Sequence, residues 1–270
     1  MLELSDIHKT FYAGTPNEVR SLRGVSLSMQ QGSFVNVIGT NGSGKSTLLN
    51  AVAGTFLVDT GRIVLGSEDI TRQPEHRRAR RIGRVFQNPF SGSAPTMTIA
   101  ENLALASRRG LSRGIGWSLS RSLREEIADR IRTLKMGLEN RLDNPIGSLS
   151  GGQRQAITLL MATWVKPDLL LLDEHTAALD PRSADQVIRL THEIVTRDQL
   201  TTLMVTHSMQ QAVHLGDRIL MMHQGHIVAD LSGPEKARAR AEDLLSRFDA
   251  LRHRDQLTPA VRDLLELSYV

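Results

Sequence analysis

The sequence predicts an α/β fold: a mostly parallel sheet covered on both faces, with an N-terminal antiparallel β-subdomain and an inserted α-helical subdomain. Three observations lead there. Strand-like and helix-like segments alternate through the second half of the chain, as βαβ units do. Two long runs at the start, 2–11 and 19–29, alternate apolar and polar residues, the pattern of half-buried strands. Between about 88 and 145 the apolar residues Leu103, Leu105, Leu119, Leu123, Ile127, Ile131 and Leu134 fall mostly at helical spacing.

The elements follow in order. Gly14, Pro16 and Asn17 read as the turn between the first two strands. Residues 34–38 form a short apolar run of the kind found in a buried central strand, and 46–53 carry a helical pattern. Strands are expected at 61–65 and 82–87. The helical insert is interrupted by a glycine-rich segment, 110–116. A helix (151–164), a strand (169–172), a helix (181–197) and a strand (201–205) come next, with Trp164 read as packing and Met221 and Met222 as core. His223-Gln224-Gly225-His226 reads as a hairpin turn between two edge strands. One main domain over 1–230 is expected, then a charged, helical tail over 231–270 that breaks near Pro259.

Composition narrows the function. The chain has 270 residues, 40% of them hydrophobic, enough for a sizeable core. Absence of cysteine excludes a disulfide scaffold, cysteine-ligated zinc and a thiol nucleophile. No signal peptide is visible, and no apolar window approaches the roughly 20 residues of a membrane span, so any membrane association is expected through a partner or the surface. Net charge is +4, with arginine concentrated at 75–81 and further arginines at Arg108, Arg109, Arg113, Arg121 and Arg124. Such a patch can bind nucleic acid or lie beside anionic headgroups. The reading adopted is a solvated face, and no nucleic-acid partner is expected.

Three motifs carry chemistry. Gly39-Thr40-Asn41-Gly42-Ser43-Gly44-Lys45-Ser46-Thr47 matches G-x-x-x-x-G-K-[ST]. Its glycines let backbone N–H groups face phosphate oxygens at a helix N-terminus. Lys45 brings a point charge to the β- and γ-phosphates, and the Ser46 hydroxyl suits Mg²⁺. Residues 169–174 form an apolar strand ending in Asp173 and Glu174. The first carboxylate can hold the magnesium shell and the second can act as general base on water. Leu149-Ser150-Gly151-Gly152-Gln153-Arg154-Gln155 places a second anion-binding helix N-terminus far from the first. One nucleotide site has no need of two such devices in one chain, so this one is expected to serve the nucleotide of another copy.

In this order the three motifs resemble the ATP-binding cassette (ABC) family of P-loop ATPases, over roughly residues 2–230. The resemblance implies a P-loop NTPase core binding ATP and Mg²⁺, with hydrolysis coupled to transport. It places Gln87 as the Q-loop glutamine, reaching Mg²⁺ and the attacking water, and Asp180 as the aspartate that communicates across the dimer. His207 becomes the switch histidine at the γ-phosphate. Phe11, or alternatively Tyr12, takes the place of the aromatic that stacks on adenine. Two positions depart from the family pattern: His175 stands where proline is usual, and Ala177 or Ala178 where serine is usual. His175 either tunes the hydrolytic site or packs beside it. The string Asp-Glu-His-Thr-Ala-Ala-Leu-Asp resembles a bacterial subfamily associated with uptake of solutes, some of amino-acid type.

The resemblance also implies partners and place. Expected are a head-to-tail homodimer, integral membrane permease subunits docking near Gln87, and an extracytoplasmic solute-binding protein acting through the permease. The subunit would sit peripherally on the cytoplasmic face of the bacterial inner membrane. The alternatives kept open are an exporter ATPase and a soluble ATPase acting in assembly or regulation.

Overall fold

The structure, a computed structural model, describes residues 1–111 and 119–256. Most of the 110–116 segment, with Arg113, and the break near Pro259 lie outside the described residues. The chain opens with β1 (Leu2–Phe11) and β2 (Val19–Met29), then β3 (Phe34–Gly39), α1 (Lys45–Ala53), β4 (Thr60–Leu65) and β5 (Glu68–Asp69). After these come α2 (Glu75–Arg78), β6 (Ile82–Val85), α3 (Ile99–Ser107) and α4 (Arg121–Arg132). A 3-10 turn at Ile146–Ser148 leads into α5 (Gly151–Thr163), β7 (Leu169–Asp173), α6 (Pro181–Asp198), β8 (Thr202–Val205) and α7 (Met209–His214). The strands β9 (Arg218–His223) and β10 (His226–Ser232) and the helices α8 (Gly233–Arg238) and α9 (Ala241–Gln256) complete it.

Alternation in the first two strands does produce a one-sided sheet. It runs β2-β1-β4-β5, all antiparallel, and buries Leu2, Leu4 and Ile7 of β1 against one core. The second sheet runs β10-β9-β3-β8-β7-β6, parallel except for the β9–β10 hairpin. Covered on both faces, its central strands read as continuous apolar runs. Leu169 and Leu171 of β7 face the core under α1, and Leu170 and Leu172 face the core shared with α5 and the helical insert. All four are fully buried, worth about 1.5–3 kcal/mol each.

Two expectations about strands are corrected. The strand expected at 82–87 ends at Val85, its last partner being Leu172. Beyond it the Phe86 carbonyl accepts a hydrogen bond from Gln155 Nε2 at 3.1 Å, which turns the chain out of the sheet before Gln87. Of the two strands expected at an edge, only β10 is one: β9 pairs with β3 on its other side.

The reading of the arginine run is corrected in part. Arg78 is buried, donating to the carbonyls of Ala51 (2.7 Å), Val52 (2.9 Å), Gln73 (2.8 Å) and Thr71 (3.0 Å). A cation there meets the carbonyl end of α1, where positive charge is favoured. Arg81 pairs with Glu68 and Asp168, and Arg109 donates to the carbonyls of Ala162 and Val165. Arg78, Arg81 and Arg109 thus clamp elements together, while Arg77 and Arg80 are exposed, as a solvated face would have them. The helical tail is tied in too, because Leu244 and Phe248 of α9 are buried against Ile38, Ala212 and Ile219. Arg78→Met should leave two or more buried carbonyls without partners, at about 1–3 kcal/mol each. Urea unfolding should therefore show a loss of at least about 2 kcal/mol. A midpoint equal to that of the unsubstituted chain would show that Arg78 is not such a clamp.

Candidate functional site: a phosphate loop and an acidic strand end

Parallel pairing of β3, β8 and β7 brings their C-terminal ends to one edge of the sheet, where ligands of open α/β sheets bind. From β3 the chain enters the loop 40–44 and turns into α1. Gly44 caps α1 at φ +99 with no side-chain cap, and a Cβ there would sit 2.5 Å from the Ser21 carbonyl. Gly39 is equally confined, with the Met222 carbonyl and Ser43 Oγ each 2.5 Å from where a Cβ would be. The glycines thus let backbone press against backbone and leave the first N–H groups of α1 for an anion.

Lys45 lies buried under this loop, its Nζ donating to the carbonyls of Gly39 (2.9 Å) and Thr40 (3.0 Å). Burial pulls its pKa down, and the negative charges of Glu174 and Asp173 oppose that fall. Ser46 and Asn41 are exposed, Ser43 is buried, and Thr47 is half-buried.

Glu174 follows β7 in the left-handed region, φ +45, its N–H bonded to the Val205 carbonyl at 2.9 Å. That turn aims the carboxylate at two other predicted residues. His207 Nε2 lies 2.7 Å from Oε1, and Gln87 Nε2 donates to Oε2 at 3.2 Å. Three residues from separate parts of the sequence therefore meet on one carboxylate, with Lys45 close enough to feel its charge.

Ser46, Asp173 and Gln87 offer a hydroxyl, a carboxylate and a carboxamide oxygen, hard donors that fit Mg²⁺ completed by phosphate and water. Asp173 Oδ1 has no hydrogen-bond partner among the described residues, so one carboxylate oxygen remains for a metal; Oδ2 lies 3.4 Å from Arg84 Nη2. Phe11 sits edge-on to Phe56 (centroids 5.2 Å apart, planes at 85°), with Lys9 Nζ 5.6 Å from its ring centre. Tyr12 is exposed at φ +53.

Ser150 and Gln153 form a reciprocal capping box at the start of α5. Gly151 and Gly152 lie against the start of α6: a Cβ on Gly152 would meet Ser183 Cβ at 2.7 Å, and one on Gly151 would meet Leu179 at 3.1 Å. Asp180 caps α6 through the Ser183 N–H at 3.0 Å, and bonds to Ser183 hold its carboxyl below the usual range. Gly151 and Gly152 thus sit against the start of α6 that Asp180 caps. No hydrogen bond or ion pair among the described residues joins either to the phosphate loop.

His175 is buried, bonded to Thr191 Oγ1 at 3.0 Å, and burial pushes its pKa down to about 4. It packs on α6 as a neutral ring. Two further supports carry no sequence motif. Gln211 accepts from Thr206 Oγ1 (2.9 Å) and donates to Thr176 Oγ1 (3.3 Å), lacing together the turns that hold His207 and Glu174. Arg84 is the other. No motif marks either; a buried arginine inside a strand is the one signal available for the second.

A family model described as ABC transporter matches residues 22–177. The chain is 40% identical over 254 residues to the tyrosine transport ATP-binding protein of Clostridioides difficile (strain R20291), covering 92% of this chain and 99% of that protein. It is 35% identical over 233 residues to the lipoprotein-releasing system ATP-binding protein LolD of Ruegeria pomeroyi, covering 85% and 97%. The fold matches the dimeric post-hydrolysis structure of the ATP-binding cassette MJ0796 bound to ADP and Pi, with a TM-score of 0.74 and 25% identity, covering 86% of this chain and 98% of that one. A phosphate loop, a strand-end carboxylate pair and a full-length match of this kind leave one conclusion: the chain belongs to the ABC transporter family, as an ATP-binding and ATP-hydrolysing cassette that uses Mg²⁺.

Proposed function

We propose that this cassette powers uptake of a small organic solute, of amino-acid type, through a separate membrane permease, and that it works as a head-to-tail homodimer with two ATP molecules at the interface. The convergence of His207 and Gln87 on Glu174 carries the hydrolytic half of this reading. The separation of 150–153 from the phosphate loop supports the dimer half, because an anion-binding helix start without a phosphate site in its own chain suits a nucleotide held by another copy. The neighbouring cassette MJ0796 is dimeric with ADP and Pi bound. The relative named for tyrosine transport supports the substrate class, and the lipoprotein-releasing relative represents the export alternative.

In this reading the N–H groups of 42–46 and the Lys45 ammonium hold the β- and γ-phosphates. Leaving the Gly39 and Thr40 carbonyls for phosphate oxygens would return Lys45 to a full charge partner. Bound Mg²⁺, held by Ser46 and Asp173 with Gln87, would neutralise charge on the β- and γ-oxygens. Glu174 accepts a proton from the attacking water as its oxygen bonds to phosphorus and the bond to ADP breaks. Gln87 orients that water, and His207 holds Glu174 and meets the γ-phosphate. From the other copy, the Ser150 hydroxyl and the N–H groups of Gly151 and Gly152 close on the same phosphate, with Gln153 holding the Ser150 side chain and Asp180 alongside. ATP thus binds the closed dimer better than the open one, and hydrolysis removes the difference. Phe11 stacks on adenine.

In this reading the permease docks on one surface of the chain. A groove lined by Glu75, Arg84, Phe86, Leu105 and Met161 lies where the chain leads into Gln87, and Leu105 is an exposed apolar side chain on its wall. No helix among the described residues is long and apolar enough to cross a membrane, so this reading puts the subunit at the cytoplasmic face of the membrane through its permease. A solute-binding protein would act on the far side.

Glu174→Gln should lower ATP turnover by about 10²-fold or more, keep ATP binding, and give an ATP-dependent dimer on size-exclusion chromatography. Near-normal turnover would remove Glu174 as the base. Purification of the tagged chain from host membranes in mild detergent should recover a polytopic permease, and a solute-binding protein with it would mark import. Recovery of soluble partners alone would overturn the transporter reading and leave the ATPase standing.

A further inference from the structure

Arg84 is a charged residue inside a strand of the parallel sheet, opposite Leu171 in register. Its side chain is only 13% exposed. The guanidinium reaches α1 and β7, which build the nucleotide site, and α2 beside them. Nη2 donates to Asn50 Oδ1 on α1 at 2.5 Å and lies 3.4 Å from Asp173 Oδ2 at the end of β7. Nη1 donates to Thr55 Oγ1 at 3.1 Å and stands 4.0 Å from Glu75 on α2. One face of the group stacks 4.5 Å from the centre of the Phe86 ring, beside Gln87.

A planar fork with fixed donors holds such an arrangement, and a lysine could not. Its contact with Asp173 is also informative. At 3.4 Å the pair is longer than the roughly 2.7–2.9 Å of a full charge-assisted bond, so the guanidinium aligns the carboxylate without occupying it. Oδ1 stays available.

We infer that Arg84 is a positioning residue that presents Asp173 to the nucleotide-bound magnesium, held in place by Asn50, Thr55 and the Phe86 ring. This rests on the reading of Asp173 as a metal-holding carboxylate. Groups that orient a metal-binding side chain from behind typically change metal affinity 10–100-fold when removed. Arg84 also lines the groove that Phe86 and Leu105 share.

The test titrates Mg²⁺ against a fluorescent, non-hydrolysable ATP analogue and reads the concentration for half-maximal binding. Analogue binding without Mg²⁺ and the melting temperature are recorded in parallel. Asp173→Asn should raise the Mg²⁺ requirement. Arg84→Gln should raise it roughly tenfold while metal-free binding stays within about twofold of the unsubstituted chain. Arg84→Lys, which keeps charge but loses the fork, should fall between them, and it carries the test if Arg84→Gln does not fold. An unchanged or lowered Mg²⁺ requirement in both Arg84 variants, with Asp173→Asn impaired, would overturn the assignment. So would an equal loss of metal-free binding, which would make Arg84 a general support. An unimpaired Asp173→Asn would instead bring down the metal reading of Asp173, and the assignment with it.

Discussion

The carboxylate of Glu174 is the point on which the site depends. It is gripped from two sides, by His207 at 2.7 Å and Gln87 at 3.2 Å, and carried on a residue at φ +45. A left-handed glutamate is an uncommon conformation, of the kind sustained where surrounding bonds over-determine it. Here the Glu174 N–H is bonded to Val205 on the neighbouring strand, and Gln211 laces Thr176 to Thr206 across the same gap. The parallel register of β7 against β8 sets all of this, since a one-residue slip would send Asp173 and Glu174 to opposite faces from those they now occupy.

The rest of the fold serves to fix that edge. The four buried leucines of β7 anchor the strand between two cores. Asn36, a polar residue in fully buried β3, donates to the carbonyls of Ala212 and Leu215 and so closes the end of α7, the helix that begins just after His207. The Asn36 amide nitrogen thus pairs two carbonyls at the end of α7, while its own oxygen is buried without a hydrogen-bond partner among the described residues.

Much of this was legible from residue order. Period-2 alternation gave β1 and β2 their full extents, because each has one wet face. The phosphate loop, the strand-end carboxylates and the helix start at Ser150 were readable because each is local, a few residues whose backbone conformation their own types dictate. Arg78, Arg84 and Gln211 were not, since their partners lie 5–89 residues away and, for Arg78, are backbone carbonyls that any residue supplies. Charge in a sequence window looks like solvent-facing charge until the contacts are known. The role of Asp180 as the cap of α6 was open to reading from Asp-Pro before a helix, but the motif's other association hid it.

Two glycine-bearing helix starts in one chain, each proposed to hold an anion, remain the most consequential feature. One is built on α1 and the other on α5, the second braced by close packing of Gly152 against Ser183. In the proposed dimer they meet only across two copies. The chain has no cysteine, so Asn41→Cys and Ser150→Cys can be placed on separate chains, mixed, and treated with a short bifunctional thiol reagent in the Glu174→Gln background. The account predicts a cross-linked dimer of the two differently substituted chains that forms with Mg²⁺ and ATP and not without them. With both cysteines in one chain, a cross-link that forms only within the monomer, at any ATP concentration, would contradict it.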